Sequence, residues 1–138
     1  MVFSLKTYYL CSANETSTLA NLMATKEQVE AFLKRLKEKI KVFDIIFRDD
    51  RGKNLQTLAT LEINTIVRKQ IIMNIEPEDY VEGPIVDTLN KMGEMWVFGQ
   101  DVKGHEVYIK ITLGLPNSST ICISFHVAEH KMNYPFKN

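Results

Sequence analysis

The sequence predicts an α+β fold in which N-terminal helices pack on a small antiparallel β-sheet. Apolar residues recur at helical spacing after residue 25, and the last third holds three runs of alternating apolar and polar residues separated by turns. The chain has 138 residues and is 45% hydrophobic, which suffices for one domain with a hydrophobic core. We therefore expect a single domain over residues 25–138.

Residues 1–24 show neither a helical nor a strand period, and we interpret them as a mobile N-terminal extension. They lack the continuous apolar stretch of a signal peptide, and no apolar run approaches the roughly 20 residues that cross a bilayer. Cys11 and Cys122 are the only cysteines, so the sequence contains neither a disulfide framework nor a paired C-x-x-C metal motif. We expect a cytoplasmic protein with no membrane partner.

The first strong helix signal begins at Thr25, which forms a capping-box pattern with Gln28. One apolar stripe at helical spacing follows, made of Val29, Phe32, Leu33, Leu36 and Ile40. The opposite face is basic, with Lys34, Arg35, Lys37, Lys39 and Lys41. This face is either simply solvated or able to bind phosphate or an acidic partner. The balance of 17 basic against 17 acidic residues gives no sign of a polyanionic partner for the whole protein.

The stretch Val42–Phe47 is β-branched and aromatic and is followed by the breaker Arg48–Gly52, so it predicts a strand and a turn. The same stretch is also compatible with a continuing helix. Two short helices should follow, the first capped by Asn54 and the second by Asn64 or Thr65.

The segment after Pro77 predicts a further strand around Ile85 and Val86, interrupted at its start by Gly83-Pro84. Beyond it, three strand-like runs predict an antiparallel meander: Met95–Gln100, Glu106–Leu113 and Thr120–Val127.

Alternation along the last two runs assigns side chains to two faces of the sheet. In the second run the residues on the polar face are Tyr108, Lys110 and Thr112. In the third run Ile121, Ile123, Phe125 and Val127 alternate with Cys122, Ser124 and His126. We therefore expect Tyr108, Lys110 and His126 to lie on a shared polar face.

The segment His126–His130 matches the H-x-x-E-H pattern of one class of zinc peptidases. That site needs a helix, which brings both imidazoles to one ion, whereas on a strand residues four apart are separated by roughly 13 Å. The residues before His126 are strand-like, Pro135 follows nine positions later, and no third ligand stands out. The pattern therefore disfavours zinc and predicts His126 at the exposed end of the last strand, as either a surface histidine or a catalytic one.

A family resemblance rests on four pieces in order: Glu78-Asp79-Tyr80, Glu94-Met95-Trp96, Gly104 to Ile111 with its V-Y-I-K-I, and Ile123-Ser124-Phe125-His126. With these pieces the stretch from Leu61 to His126 resembles the MqsR-family toxins of bacterial type II toxin–antitoxin pairs, within the RelE-like group of messenger-RNA-cleaving proteins. The resemblance implies a RelE-like α+β domain and an endoribonuclease that acts on mRNA without metal or cofactor. It also implies a cognate antitoxin, encoded next to the toxin, as partner.

The resemblance carries over to this chain one position at a time. Tyr108 matches the active-site tyrosine of the family within V-Y-I-K. The family pattern has lysine where this chain has His126, lysine where it has Glu82, and glutamine where it has Val97. Several RelE-like nucleases use a glutamate with a histidine near the last strand, and Glu82 with His126 resembles that arrangement.

RNA cleavage without metal requires a base for the 2′-hydroxyl, a donor or cation for the charge on phosphorus, and an acid for the departing 5′-oxygen. Within the resemblance we assign His126 as general acid and Glu82 as general base. Lys110 would neutralise phosphate, and Tyr108 would hydrogen-bond the phosphate or stack on a base. As an ordinary strand residue, Lys110 would simply be solvated.

Trp96 and Lys91 complete the predicted set as substrate-binding residues, although such a tryptophan is more often a core residue than a platform for base stacking. Two further interpretations stay open. The chain is either a non-catalytic protein-binding module of a toxin–antitoxin-like complex or, on the zinc pattern, a metallohydrolase.

Overall fold

The computed structural model of the protein describes residues 23–50, 52–87 and 93–137. The predicted mobile extension, residues 1–24, lies almost entirely outside this range, as does Lys91. Within it, no helix is long and apolar enough to span a membrane.

Three helices and a five-stranded sheet make up the described fold. The helices are α1 (Lys26–Phe43), α2 (Gly52–Leu61) and α3 (Thr65–Met73), followed by a short 3-10 helix (Pro77–Asp79). The strands are β1 (Ile45–Phe47), β2 (Tyr80–Asp87), β3 (Gly93–Val102), β4 (His105–Thr112) and β5 (Thr120–Val127). Their order is β1-β5-β4-β3-β2, and β1 runs parallel to β5 while the other pairs are antiparallel. The α+β class is confirmed. The sheet is mixed rather than antiparallel, because β1, which follows α1, pairs in parallel with β5.

The predicted first helix is confirmed, with its cap and its apolar stripe. The Thr25 hydroxyl accepts from the Gln28 amide at 3.2 Å, and the Gln28 side chain accepts from the Thr25 amide at 2.9 Å. All five stripe residues are buried, and Phe32 stacks on Trp96 with ring centroids 4.5 Å apart. Burial of each such side chain contributes roughly 1.5–3 kcal/mol, so this stripe attaches α1 to the sheet.

The predicted strand over residues 42–47 is only half correct, because α1 continues through Val42 and Phe43. The chain leaves the helix at Asp44, whose φ of 67° ends the helical hydrogen-bonding pattern. Only Ile45–Phe47 is strand, where β5 supplies a hydrogen-bonding partner. Each residue that extends an existing helix adds a backbone hydrogen bond, which outweighs the weak β preference of an exposed valine.

Asn54 is predicted to cap α2, but it lies inside this helix and is only 1% exposed. Its side-chain amide donates to the Ile123 carbonyl at 3.1 Å and accepts from the Phe125 amide at 3.1 Å. Thr57, one turn later, accepts from the Val127 amide at 3.2 Å. Because β1 is too short to pair with this part of β5, side chains of α2 satisfy its backbone groups instead.

The remaining predicted elements are present with shifted ends. Asn64 caps α3 by accepting from the Val67 amide at 2.9 Å. Strand β2 begins earlier than predicted, at Tyr80, and its pairing with β3 shifts register between Glu82 and Ile85, where the cis-linked Gly83-Pro84 lies.

A β-bulge in β5 changes the predicted assignment of side chains to the two faces. Lys110 pairs with Ser124, whereas the next residue, Ile111, pairs with Cys122, so Ile123 is an extra residue in β5. The prediction that Cys122 lies on the polar face with Ser124 is therefore wrong. Cys122 is fully buried in the hydrophobic core.

The sheet has two unlike faces. The helical face packs against the helices and carries apolar residues that include Trp96, Phe98, Ile109, Ile111 and Phe125. We call the other side the open face; it carries Val97, Gly99, Tyr108, Lys110, Ser124 and His126. Residues 128–137, the C-terminal segment, leave β5 and cross one end of the open face.

Candidate functional site

The open face holds a cavity of about 670 Å³. Its lining from the sheet includes Glu82, Tyr108, Lys110, Ser124 and His126, and residues 128–133 and Pro135 of the C-terminal segment form the opposite side. The volume is in the range of small-ligand sites, roughly 300–1,000 Å³. The structure thus brings together the four residues that the sequence assigns to catalysis.

Tyr108 and His126 form the best-defined pair in the cavity. They are directly opposite each other on β4 and β5, and their rings stack with centroids 5.2 Å apart and an angle of 14° between the planes. The Nδ1 atom of His126 lies 3.1 Å from the Val127 carbonyl oxygen. A protonated Nδ1 donates to that carbonyl, which leaves Nε2 as the nitrogen that exchanges a proton with a ligand.

Lys110 is two residues after Tyr108 on β4 and pairs with Val97 of β3 and Ser124 of β5. Glu82 of β2 pairs with Val97 from the other neighbouring strand. The Lys110 ammonium is 5.9 Å from the centre of the Tyr108 ring, so both groups serve the same part of the cavity. Glu82 is exposed at the cavity edge. Since strands lie about 4.8 Å apart and His126 is two residues further along β5 than Ser124, the backbones of Glu82 on β2 and His126 on β5 are separated by roughly 16 Å.

The electrostatic environment keeps Tyr108 protonated. Burial raises the pKa of its hydroxyl, and the nearby negative charge of Glu82 adds to the rise. At neutral pH the cavity therefore combines a phenol that can donate a hydrogen bond, an ammonium, a carboxylate and an imidazole. This set can bind an anionic group and move protons without a metal.

The C-terminal segment is held over the open face by Glu106. The backbone amide of Met132 donates to one carboxylate oxygen at 3.3 Å, and the Tyr134 hydroxyl donates to the other at 2.7 Å. Tyr134 and Met132 lie on Gly99, where a Cβ atom would collide with the Tyr134 hydroxyl and lie 2.8 Å from Met132 Cε. Burial and the Glu106 hydrogen bond raise the pKa of Tyr134, so this hydroxyl remains a donor.

The C-terminal segment is a part of the site that the sequence pattern did not predict. The pattern includes His130 only in the zinc motif and indicates no role for Lys131, yet both residues line the cavity. One signal was present, because a chain that leaves the strand carrying His126 must pass close to the same end of the face. What the pattern could not show was that Glu106 and Gly99 hold the segment there.

The residues of the zinc pattern do not lie on a helix. His126 is in β5, and Glu129 and His130 are in the irregular C-terminal segment. In the described ranges no group of three or more His, Cys, Asp or Glu side chains is arranged to hold a metal ion.

Trp96 is not brought to the site, contrary to its predicted role in substrate binding. It is 7% exposed and lies on the helical face, stacked on Phe32. The cavity it borders, about 430 Å³ between α1 and β3, contains none of the predicted catalytic residues. Alternation along β3 decides this, because Val97 occupies the open face beside Lys110.

Comparisons of the chain with protein-family models, curated proteins and solved structures give no match.

Proposed function

We propose that the protein is the toxin of a type II toxin–antitoxin system, a metal-independent endoribonuclease that cleaves mRNA by 2′-hydroxyl attack, with a RelE-like domain. The observation that carries the proposal is the shared cavity of Glu82, Tyr108, Lys110 and His126. These residue types supply a base, a hydrogen-bond donor, a cation and an acid. The resemblance of the V-Y-I-K-I and I-S-F segments to MqsR-family toxins supplies the substrate class, mRNA, and the partner, a cognate antitoxin.

The proposed reaction needs only groups of this chain. Glu82 takes the proton of the 2′-hydroxyl while the 2′-oxygen attacks the adjacent phosphorus. The bond from phosphorus to the 5′-oxygen breaks, and His126 gives its proton to that oxygen. The products are a 2′,3′-cyclic phosphate and a 5′-hydroxyl end, and the two proton transfers balance.

His126 suits the role of acid because of its two neighbours. The Val127 carbonyl, 3.1 Å from Nδ1, favours a protonated Nδ1 and so directs Nε2 to the substrate. The stacked Tyr108 ring, 14° from parallel to the imidazole, fixes the plane of the histidine side chain. A positioned proton donor typically contributes roughly 10²–10⁴-fold to the rate.

Lys110 and Tyr108 would act on the phosphate. The ammonium of Lys110 neutralises the non-bridging oxygens, and charge builds up on these oxygens in the transition state. Tyr108, protonated because burial raises its pKa, can donate a hydrogen bond to the same group. Val97 has no polar atom and is fully buried, so the glutamine role of the family has no counterpart at that position.

One observation favours the second interpretation, a non-catalytic protein-binding module of a toxin–antitoxin-like complex. The strands that carry Glu82 and His126 are separated by two others, and the two residues are roughly 16 Å apart at the backbone. Both side chains must extend over Lys110 and Tyr108 to reach one phosphate. A module that only binds would not require them to converge.

The test is cleavage of a single-stranded RNA by the purified full chain, with and without a chelator. We expect cleavage that is insensitive to the chelator and yields 2′,3′-cyclic phosphate ends. His126→Ala should lower the rate by roughly 10²-fold or more. Lys103→Ala, on an exposed turn away from the cavity, is the control and should cleave like the wild type.

A modified substrate separates a general acid from a structural histidine. RNA with sulfur in place of the bridging 5′-oxygen has a leaving group that needs no protonation, so it should be cleaved at similar rates by wild type and His126→Ala. Absence of cleavage would support the protein-binding module, and cleavage lost on chelation would support a metallohydrolase. Growth arrest on expression, relieved by the protein of a neighbouring reading frame, would test the antitoxin partner.

A further inference from the structure

His130 and Lys131 line the cavity from the C-terminal segment without a partner of their own. In the described part of the chain, neither side chain makes a hydrogen bond or an ion pair. Their acidic neighbour Glu129 is paired with Lys53 of α2. The hydrogen bond and charge of Lys53 are the main causes that lower the pKa of Glu129. Glu129 is therefore held mainly by Lys53, and the charges of His126 and His130 contribute less to its lowered pKa.

The two residues lie between fixed points of the segment. On one side, the Ala128 amide donates to the Glu106 carbonyl at 2.8 Å, and Lys53 pairs with Glu129. On the other side, the Glu106 carboxylate accepts from the Met132 amide and the Tyr134 hydroxyl. A short stretch held at both ends loses little freedom when a ligand binds to it.

A second layer of contacts supports the far anchor. Phe136 stacks on Tyr80 of β2 with centroids 5.4 Å apart, and the Lys137 ammonium lies 4.4 Å from the centre of the Tyr134 ring. Tyr80 is fully buried in the core. The segment that presents His130 and Lys131 is thus attached to a residue of the buried core.

We infer that the C-terminal segment is a phosphate-binding wall, in which Lys131, assisted by His130, holds the backbone phosphate next to the scissile one in single-stranded RNA. The inference rests on the proposed function and adds the means by which the substrate strand is positioned. A strand that places one phosphate at Lys110 and His126 on the floor of the cavity must carry its neighbouring phosphate towards the cavity side. There the wall offers unpaired cationic and donor groups.

This role predicts a specific signature in binding. A lysine that contacts phosphate releases a counterion when RNA binds, so its loss weakens binding and lowers the dependence of affinity on salt. It does not change the chemical step, because Lys131 would not touch the reacting atoms. Lys131 is therefore a positioning residue, and its loss should raise KM while kcat is kept.

The experiment measures the Kd of the full chain for a short RNA with 2′-O-methyl groups throughout, which cannot be cleaved, at several salt concentrations. We expect Lys131→Gln to raise Kd about tenfold at low salt and to lower the slope of log affinity against log salt by about 0.7. Lys131→Arg should restore both, and His130→Gln should raise Kd by about twofold to fivefold. With cleavable RNA, Lys131→Gln should keep kcat within about twofold of the wild type.

Lys41→Gln is the matched control, because it removes the same charge from the exposed basic side of α1. An unchanged Kd and slope in Lys131→Gln, with a wild type that binds and cleaves RNA, would overturn the wall and leave the proposed nuclease standing. An equal change in Lys41→Gln would place the RNA along α1 and also overturn the wall. A wild type that binds the methylated RNA but does not cleave normal RNA would refute the nuclease and the position of the wall beside a scissile phosphate, while the slopes would still decide whether Lys131 binds RNA phosphate. Absence of RNA binding would refute both.

Discussion

The helical face and the open face of the sheet are built from the same strands but held in different ways. On the helical face Phe98, Ile109 and Phe125 are fully buried beneath the helices. On the open face the neighbouring residues Tyr108 and His126 remain partly exposed and border a cavity. Because alternate residues of a strand point to opposite sides, stability and chemistry are separated by a single position in the sequence.

The covers of the two faces also differ. The helical face is closed by apolar side chains. Their contribution to the free energy of folding grows with the buried apolar area, and it falls further where a substitution leaves a cavity. The open face is partly covered by ten residues that depend on the Glu106 carboxylate and on the missing side chain of Gly99. Removing the Glu106 carboxylate, or adding one methyl group at Gly99, should therefore be enough to displace the C-terminal segment.

The largest expected effect comes from truncating the helical face. Phe125→Ala should lower the free energy of unfolding by roughly 3–5 kcal/mol, because it leaves a cavity in a packed core. His126→Ala, one residue later, should cost about 1 kcal/mol or less, the value of an aromatic pair at a half-exposed position. Urea denaturation of both variants measures the two changes. If His126→Ala unfolds the chain while Phe125→Ala is tolerated, the two faces have been exchanged.

A smaller effect is expected from filling the position on which the C-terminal segment lies. In Gly99→Ala the new methyl group should displace Tyr134 and Met132 and weaken the hydrogen bond to Glu106. We expect a loss of about 1–2 kcal/mol in stability. We also expect faster cleavage by trypsin after Lys131 in the folded protein, because local opening of the segment becomes easier.

Gly52→Ala is the control for this substitution. A Cβ atom at Gly52, the first residue of α2, would meet nothing within 4 Å, and the change should be neutral or slightly stabilising. If trypsin cleaves Gly99→Ala and Gly52→Ala equally slowly after Lys131, Gly99 does not hold the segment.

The last expected effect is absent at neutral pH, appears only at alkaline pH, and tests the side to which Cys122 points. Burial raises the pKa of the Cys122 thiol from 9.0 to about 12. From about pH 9 to about pH 12 the unfolded chain has lost this proton while the folded protein keeps it. The folded state then binds more protons, so stability falls as pH rises.

Cys122→Ala should therefore show a shallower loss of stability above pH 9 than the wild type. The tyrosines with raised pKa values, Tyr80, Tyr108 and Tyr134, remain in both proteins and contribute the same sign. Thermal midpoints measured at intervals from pH 7 to pH 11 compare the slopes. Parallel curves would mean that the thiol is solvated, as strict alternation along β5 predicts.

Much of the fold follows from local patterns. The capping box at Thr25 and the apolar stripe behind it define α1, and the last strand lies at Thr120–Val127 as predicted. Along β4 the alternation places Tyr108 and Lys110 away from the core, and it brings His126 to the same side on β5. These features depend on side chains a few residues apart, so their period is visible in the sequence.

Tertiary structure decided the features that require partners far apart in the chain. The bulge at Ile123 turns Cys122 into the core, and Asn54 satisfies the β5 backbone groups that β1 is too short to pair with. The C-terminal segment reaches the cavity only because Glu106 and Gly99 receive it. Unpaired backbone groups and free space exist only after the strands are assembled, and no local period records them. The sequence alone therefore determined that Tyr108, Lys110 and His126 face the site, while the assembled sheet decided the facing residues around the bulge and what closes the site.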